Sequence, residues 1–437
     1  MPRSVNFPQI VALSVGITIG SGIFRVPATV AAQQQFPGPM LHCWVLGGVI
    51  AVCGALTVAE LAGALPRSGG VFAYLLEGYG PLPAFLFGWT ELVVIRASAL
   101  GAIATIFADY LGFFVPLVAT HVRVAAAVAI VLIGAINYVG VQRAAAVLSA
   151  TTAVKYAVLL ALGLLAFTAR GGSAAHFVPA WPAGAPLSML ATALIPVMWT
   201  YDGWADAAFV AGEVRDPQRN LPLALIAGAL CVILVYLVVN VGFLYALAPQ
   251  TMADSKLVAS SVAARIPLLG GVGAAVVAAA VVISAFSGLN ASMMAGSRIF
   301  YAMADRGLFF GAAARVSPRF DSPSVAIWLA TALGVAYVLF NDFAQLADKF
   351  ILGIWPFYTL TVAAVFVLRR RRPELPRPYR VLGYPAVPVV FLLASVYMVL
   401  NALVTDPRNT GLTFGIILVG IPVFWLWGSL RGRAVAR

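Results

Sequence analysis

The sequence predicts an all-α polytopic membrane protein of about twelve transmembrane helices, on three observations. Of 437 residues, 62% are hydrophobic and only 10% are charged. The mean hydropathy is +0.98. Apolar runs long enough to cross a bilayer, about 20 residues each, recur along the whole chain between charged, Pro-rich or Gly-rich breaks. An average soluble domain carries roughly 25% charged residues. A soluble enzyme, a disordered regulator and a secreted disulfide scaffold are therefore all disfavoured. Cys43, Cys53 and Cys231 all lie inside apolar runs, so no disulfide framework is expected.

In chain order the runs cover residues 8–33, 38–65, 83–115, 121–140, 144–169, 187–211, 221–247, 268–303, 322–341, 345–368, 380–403 and 411–430. Twelve spans leave only short connections, so no soluble domain fits. The first run is too long for a signal-peptide core and no small-residue cleavage site stands out.

Lys and Arg set the orientation. With a cytoplasmic N-terminus, 18 of the 27 fall on inner segments, 6 on outer segments (Arg123, Arg170, Lys256, Arg265, Lys349, Arg408) and 3 (Arg25, Arg96, Lys155) within spans. Both termini are thus expected in the cytoplasm. The run RRRRPELPRPYR reads as a topology anchor, with anionic lipid headgroups as the functional alternative. The net charge of +12 is explained without nucleic acid.

Two spans contain what a membrane helix avoids. The first reads VALSVGITIGSGIFRVPATVA, with Gly20-Ser21-Gly22 near its centre and Pro27 after it. The sixth reads LIPVMWTYDGWADAAFVAGE, with Trp199, Thr200, Tyr201, Asp202, Gly203 and Trp204 at its centre. Glycine costs about 1 kcal/mol in a helix relative to Ala, and Asp about 2.5–3.5 kcal/mol at mid-membrane. Unwound backbone at that depth is tolerated only inside protein or beside a wet cavity. Breaks in spans 1 and 6 are offset by five helices, the arrangement of two inverted five-helix repeats around a central site. Free N–H groups at a break suit a carboxylate, and free C=O groups suit an ammonium. An α-amino acid carries both. Close helix packing by small residues is the bland alternative.

At this point the residues resemble the amino acid–polyamine–organocation superfamily, and most closely its L-type amino acid transporter branch. The resemblance rests on IGSGIF (Ile19–Phe24), AELAGALPRSGGVFAYLLEGYGPLPAFLFGW (Ala59–Trp89), YDGWADAAFVAGEVRDPQRNLPLAL (Tyr201–Leu225), GLNASMMAGSRIFYAMADRGL (Gly288–Leu308) and RPYRVLGYPAVP (Arg377–Pro388), in that order and spacing. It implies a five-plus-five inverted-repeat fold with two extra C-terminal helices: residues 1–170, 187–370 and 380–437. It also implies alternating access and amino acid transport. Carried over residue by residue, the amides of Gly20, Ser21 and Gly22 hold the substrate carboxylate. Carbonyls at Thr18, Ile19, Trp199, Thr200 and Asp202 receive the ammonium, within a break that also holds Tyr201 and Gly203. Trp199 stands at the gate position, often Phe in relatives. Ala205 is small and apolar where a polar residue occurs in relatives. Ser284, Ser287, Asn290 and Trp355 are looser candidates. The pocket aligned this way has no clear counter-charge apart from Asp202, so a neutral substrate is expected.

Lys155 lies within span 5, where an ionisable residue is a functional candidate by default. L-type relatives carry a lysine at the matching place, where sodium-coupled members of the fold bind sodium. The resemblance therefore implies sodium-independent transport, with snorkelling to the interface as the bland alternative. Asp202 either pairs with a ligand ammonium or a proton, or caps free N–H groups at the break. Arg25 either lines an outer vestibule or faces lipid headgroups. Glu91 and Arg96 are five residues apart, poor spacing for an α-helical pair, and are expected to pair with other helices.

The segment Val115–His121 has no cysteine where animal relatives bond a heavy subunit, so none is expected here, and a bacterial stand-alone protein of the inner membrane is the better reading. No cofactor, metal cluster, phosphate loop or nucleophile triad stands out, which disfavours an embedded enzyme. His42, His121 and His176 sit near outer span ends and are not spaced as ligands. The sequence reading is a sodium-independent exchanger of neutral L-amino acids. Its rivals are a proton-coupled symporter, a carrier of cationic amino acids or polyamines, and a transport-dead sensor on the same fold.

Overall fold

The computed structural model describes residues 6–66, 70–139, 156–182, 189–206, 208, 214–305, 307, 311–317, 319–320 and 322–435. Among them every regular element is helical. In order these are α1 (Phe7–Thr18), α2 (Val26–Gln34), α3 (Pro37–Ala64), α4 (Gly70–Tyr79), α5 (Pro81–Thr90), α6 (Ala97–Leu111), α7 (Pro116–Thr120), α8 (Val122–Val139), α9 (Tyr156–Thr168), α10 (Leu190–Tyr201), α11 (Pro217–Ala246), α12 (Pro249–Ala253), α13 (Val258–Ala263), α14 (Gly273–Asp305), α15 (Ser324–Phe340), α16 (Phe343–Arg371), α17 (Ala386–Thr405) and α18 (Pro407–Val435). Eight helical stretches are long and apolar enough to span a membrane, and four shorter apolar ones (α1, α9, α10, α15) complete the series expected from the sequence.

Local chemistry places the ends. Asn6 and Gln9 form a capping box that starts α1, and Asp342 with Gln345 forms another at α16. Proline sits in the first turn of α3, α5 and α11, where its missing N–H costs nothing. The eleventh span starts at Ala386 rather than near 380. Residues before it form a pinned connection: Glu60, 2% exposed on α3, accepts from Arg369 at 2.8 and 2.6 Å and from the Val381 N–H at 2.8 Å. Arg377 lies 3.5 Å from the same carboxylate and also donates to the carbonyls of Leu368 and Arg372. Arg372 pairs with Glu77 and Glu374. Much of the arginine-rich run is thus occupied by protein partners.

The core lies between α3, α5–α6, α10, α11, α14 and α16. The most apolar window is 72% buried in α3 and 67% in α16, but 28% in α17 and 22% in α18. The last two helices are therefore peripheral, and they expose Leu393, Leu400, Leu412 and Trp425 outward. Such a ring of outward apolar side chains suits a lipid surround.

Candidate functional site

Span 1 breaks where the glycines predict. Helix α1 stops at Thr18, Ile19 leaves helical geometry at φ −74°, ψ 84°, and one 3₁₀ turn (Gly22–Phe24) restarts the chain before α2. The Gly20 N–H turns back to the Thr18 carbonyl at 2.8 Å. The N–H groups of Ser21, Gly22 and Ile23 have no backbone acceptor among the described residues. The Ser21 hydroxyl is buried and has no hydrogen-bond partner. A buried run of free donors is costly unless something accepts from it.

Span 6 breaks after Tyr201. Asp202 adopts φ −59°, ψ 151°, and Gly203 lies at φ +105°, on the side of backbone space that favours glycine. The two breaks face each other closely. A Cβ added to Gly203 would meet the Thr18 Cα at 3.0 Å, and one added to Gly22 would meet the Trp199 ring at 2.6 Å and the Thr200 hydroxyl at 3.2 Å. Glycine at both positions lets the two unwound backbones approach.

The sequence reading missed the residue that joins them. Tyr236, fully buried on α11, donates its hydroxyl to the Thr18 and Thr200 carbonyls, each at 3.0 Å. The carbonyl ends of α1 and α10 thus converge on one phenol, and the free N–H groups of the GSG turn lie beside them. Carbonyl ends carry negative helix dipole and free N–H groups positive, so the arrangement is complementary to a small zwitterion. A tyrosine inside a run such as CVILVYLVV carries no local signal of this role.

Trp199 covers the first break. Its ring stands edge-on to Phe343 of α16 at 5.3 Å, and the Arg25 guanidinium lies 5.5 Å from the Phe343 ring centre. Arg25 pairs with Asp109 of α6 at 2.9 Å and donates to the Lys256 carbonyl at 2.9 Å. Tyr110 donates to the Phe24 carbonyl at 2.8 Å. Arg25 is thus engaged by protein partners beside the first break. On the α2 side, Trp199, Phe343 and the Arg25–Asp109 pair close over the breaks.

Glu91 and Arg96 overturn the expectation that they find partners on other helices alone. They pair directly, with Arg96 Nη2 at 3.2 Å from both Glu91 oxygens. The reason is local. Residues Glu91–Arg96 form a π-helical turn between α5 and α6, and i→i+5 winding brings residues five apart into register. Arg96 also donates to Ser292 of α14 at 3.0 Å and crosses the face of Gly296. Asp202 accepts from the Tyr358 hydroxyl of α16 at 2.9 Å, so its carboxylate is tied across the core rather than to the N–H groups of its own break. Asp206 is close enough to Asp202, Glu91 and Arg96 to interact electrostatically.

Of the remaining candidates, Thr18, Ile19, Ser21, Gly22, Thr200 and Ala205 are buried at or next to the paired breaks, and Gly20 and Trp199 are partly buried there. Tyr201 turns its hydroxyl to the Trp44 carbonyl of α3 at 3.1 Å. Asn290 accepts from Asn137 at 2.8 Å, and Trp355 stacks on Phe391 of α17 at 5.7 Å and stands edge-on to Tyr358 at 5.9 Å, the tyrosine that bonds Asp202 at the span 6 break. The Ser284 hydroxyl is buried without a partner. Lys155 lies outside the described residues. No group of His, Cys, Asp and Glu among the described residues is placed to hold a metal ion.

An all-helical polytopic chain with two facing mid-span breaks defines a membrane carrier of small solutes. The amino acid permease family model matches residues 5–427, and the chain belongs to that family. It is 29% identical over 430 residues to the serine/threonine exchanger SteT of Bacillus subtilis, covering 97% of each chain. It is 32% identical over 407 residues to the human b(0,+)-type amino acid transporter 1, covering 91% of this chain and 82% of the relative. It is 29% identical over 435 residues to the human cystine/glutamate transporter, covering 98% and 85%.

Proposed function

We propose that this protein exchanges neutral L-amino acids across the cell membrane, without sodium, by alternating access. The observation that carries the reading is the pair of facing breaks: free N–H groups at Ser21–Ile23 beside the converging carbonyls of Thr18 and Thr200. The backbone at the breaks takes the zwitterion shared by all α-amino acids, and the surrounding side chains select among them. Family membership and likeness to a serine/threonine exchanger support the exchange mode. Both termini are read as cytoplasmic from the 18-to-6 split of Lys and Arg, with residues 1–170 and 187–370 as the two repeats. The chain is read as working without a disulfide-linked heavy subunit, since Val115–His121 lacks a cysteine.

Trp199 acts as the gate in this reading. Lys155, placed in the cation position by the resemblance, replaces sodium. Uptake of radiolabelled L-serine, L-alanine or L-leucine into proteoliposomes tests the proposal. Uptake is expected to need internal amino acid and to be the same in sodium and choline buffers, and Lys155→Ala is expected to abolish it. Strict sodium dependence, or uptake indifferent to internal substrate, refutes the exchange reading. One observation favours proton coupling as the second reading: among the described residues, Glu91, Asp202 and Asp206 all interact with the Arg96 guanidinium. Acceleration by an inward pH gradient with empty vesicles is its signature.

A further inference from the structure

A second place in the molecule has the chemistry of an amino acid site and touches none of the break residues. A recess of about 390 Å³, including its open mouth, lies between α10, α16, α17 and α18. Its apolar part is Ile195, Leu352 and Ala402, 8%, 4% and 3% exposed. Its polar part includes Asp348, Lys349, Asp406 and Asn409. Most polar groups there are already engaged. Asn409 donates to Asp406 at 2.6 Å from its side chain and at 3.2 Å from its backbone N–H, holding that carboxyl below the usual range. Gln345 serves the α16 cap, and Thr405, Thr410 and Thr413 donate to backbone carbonyls.

Two groups differ. Asp348 and Lys349 have no hydrogen bond or close ion pair among the described residues, and they interact only at longer range, with each other and with the carboxylates of Asp406 and Asp342. Consecutive helical residues point about 100° apart, so the two cannot fold onto each other. A partly buried carboxylate without a donor is unfavourable, and here the neighbouring ammonium also lacks a hydrogen-bond partner among the described residues, held only by the longer-range pull of Asp348, Asp406 and Asp342. A carboxylate, an ammonium and an apolar floor in one recess are the complement of a zwitterion with an apolar side chain.

We propose that this recess is an accessory binding site for a neutral α-amino acid, separate from the helix breaks. The ligand ammonium sits on Asp348, its carboxylate on Lys349, and its side chain over Ile195 and Leu352. The site communicates with the gate through shared helices. Ile195 is four residues before Trp199 on α10, and Phe343, the ring against Trp199, is five residues before Asp348 on α16. A ligand joining α10 to α16 holds the closed gate and slows exchange when amino acid is abundant. The inference rests on the amino acid reading above.

Equilibrium dialysis of the purified full chain with radiolabelled L-serine, L-alanine and L-leucine measures how many molecules bind. Two per chain are expected for the best-bound probe. Asp348→Asn and Lys349→Gln are each expected to weaken one of the two at least tenfold and leave the other unchanged. The wild type is also expected to show exchange slowing at high external substrate, relieved in both variants. A single site in the wild type overturns the proposal without recourse to any variant, as do two unaltered sites in both variants. No binding of any amino acid removes the exchange assignment as well, which separates the two failures.

Discussion

Replacing Gly203 by alanine tests the apposition of the two breaks most directly. Gly203 sits at φ +105°, where a side chain costs about 1–3 kcal/mol. The new Cβ would also lie 3.0 Å from the Thr18 Cα and 3.1 Å from the Thr18 nitrogen. Both are backbone atoms, so no rotamer change relieves the contact and α1 itself must shift. Overpacking of this kind costs roughly 1–3 kcal/mol, and the stiffer unfolded chain returns about 0.4–1 kcal/mol. The net loss is about 1–5.6 kcal/mol, a substantial share of the ~5–15 kcal/mol typical of folded proteins. Thermal unfolding in detergent, followed by size-exclusion fluorescence, is expected to fall by several degrees. Substrate affinity per folded molecule is expected to fall with it, because moving Thr18 breaks the shared hydroxyl of Tyr236. Wild-type melting and wild-type affinity together would refute the close approach of the breaks.

Three further substitutions probe the surrounding contacts. Tyr236→Phe removes the donor shared by the Thr18 and Thr200 carbonyls. At about 0.6–1.7 kcal/mol for a buried membrane hydrogen bond, transport KM is expected to rise roughly 3- to 17-fold, and an unchanged KM would show that the phenol does not preorganise the carbonyls. Arg25→Gln removes the 2.9 Å pair with Asp109. At up to about 1 kcal/mol, labelling of Ser21→Cys by an impermeant thiol reagent, in a background without the native cysteines, is expected to accelerate roughly fivefold. No acceleration argues against the Arg25–Asp109 pair closing over the breaks. Glu60→Gln leaves Arg369 and Arg377 facing a neutral amide. Breaking a buried pair costs about 3–5 kcal/mol, so a large drop in melting temperature is expected, and a drop of a degree or less refutes the role given to Glu60.

The sequence made the breaks legible because both rest on local chemistry. Gly20, Gly22 and Gly203 are weak helix formers whatever surrounds them, and Asp202 in an apolar run is costly wherever it points. Span positions were legible for the same reason, since hydrocarbon thickness sets a length that apolar runs must meet. What stayed hidden depended on register or on distant chain. The Glu91–Arg96 pair is invisible to a 3.6-residue period, which places those side chains on different faces. Tyr236 gains its role only when α1 and α10 meet above it. The engagement of Arg25 needs Asp109 and the carbonyl of Lys256, 84 and 231 residues away. The start of α17 depends on Glu60, more than 300 residues earlier in the chain.

The single wide turn at Glu91–Arg96 sets the azimuth of everything beyond it. One surplus residue in a helix rotates the downstream segment by about 100° and advances it by about 1.5 Å. Wound instead as plain α-helix without losing a residue, the chain from α5 through α6 would turn Asp109 and Tyr110 off the side where Arg25 and the Phe24 carbonyl await them. A small irregularity deep in the third span thereby sets the alignment of a latch three helical turns away.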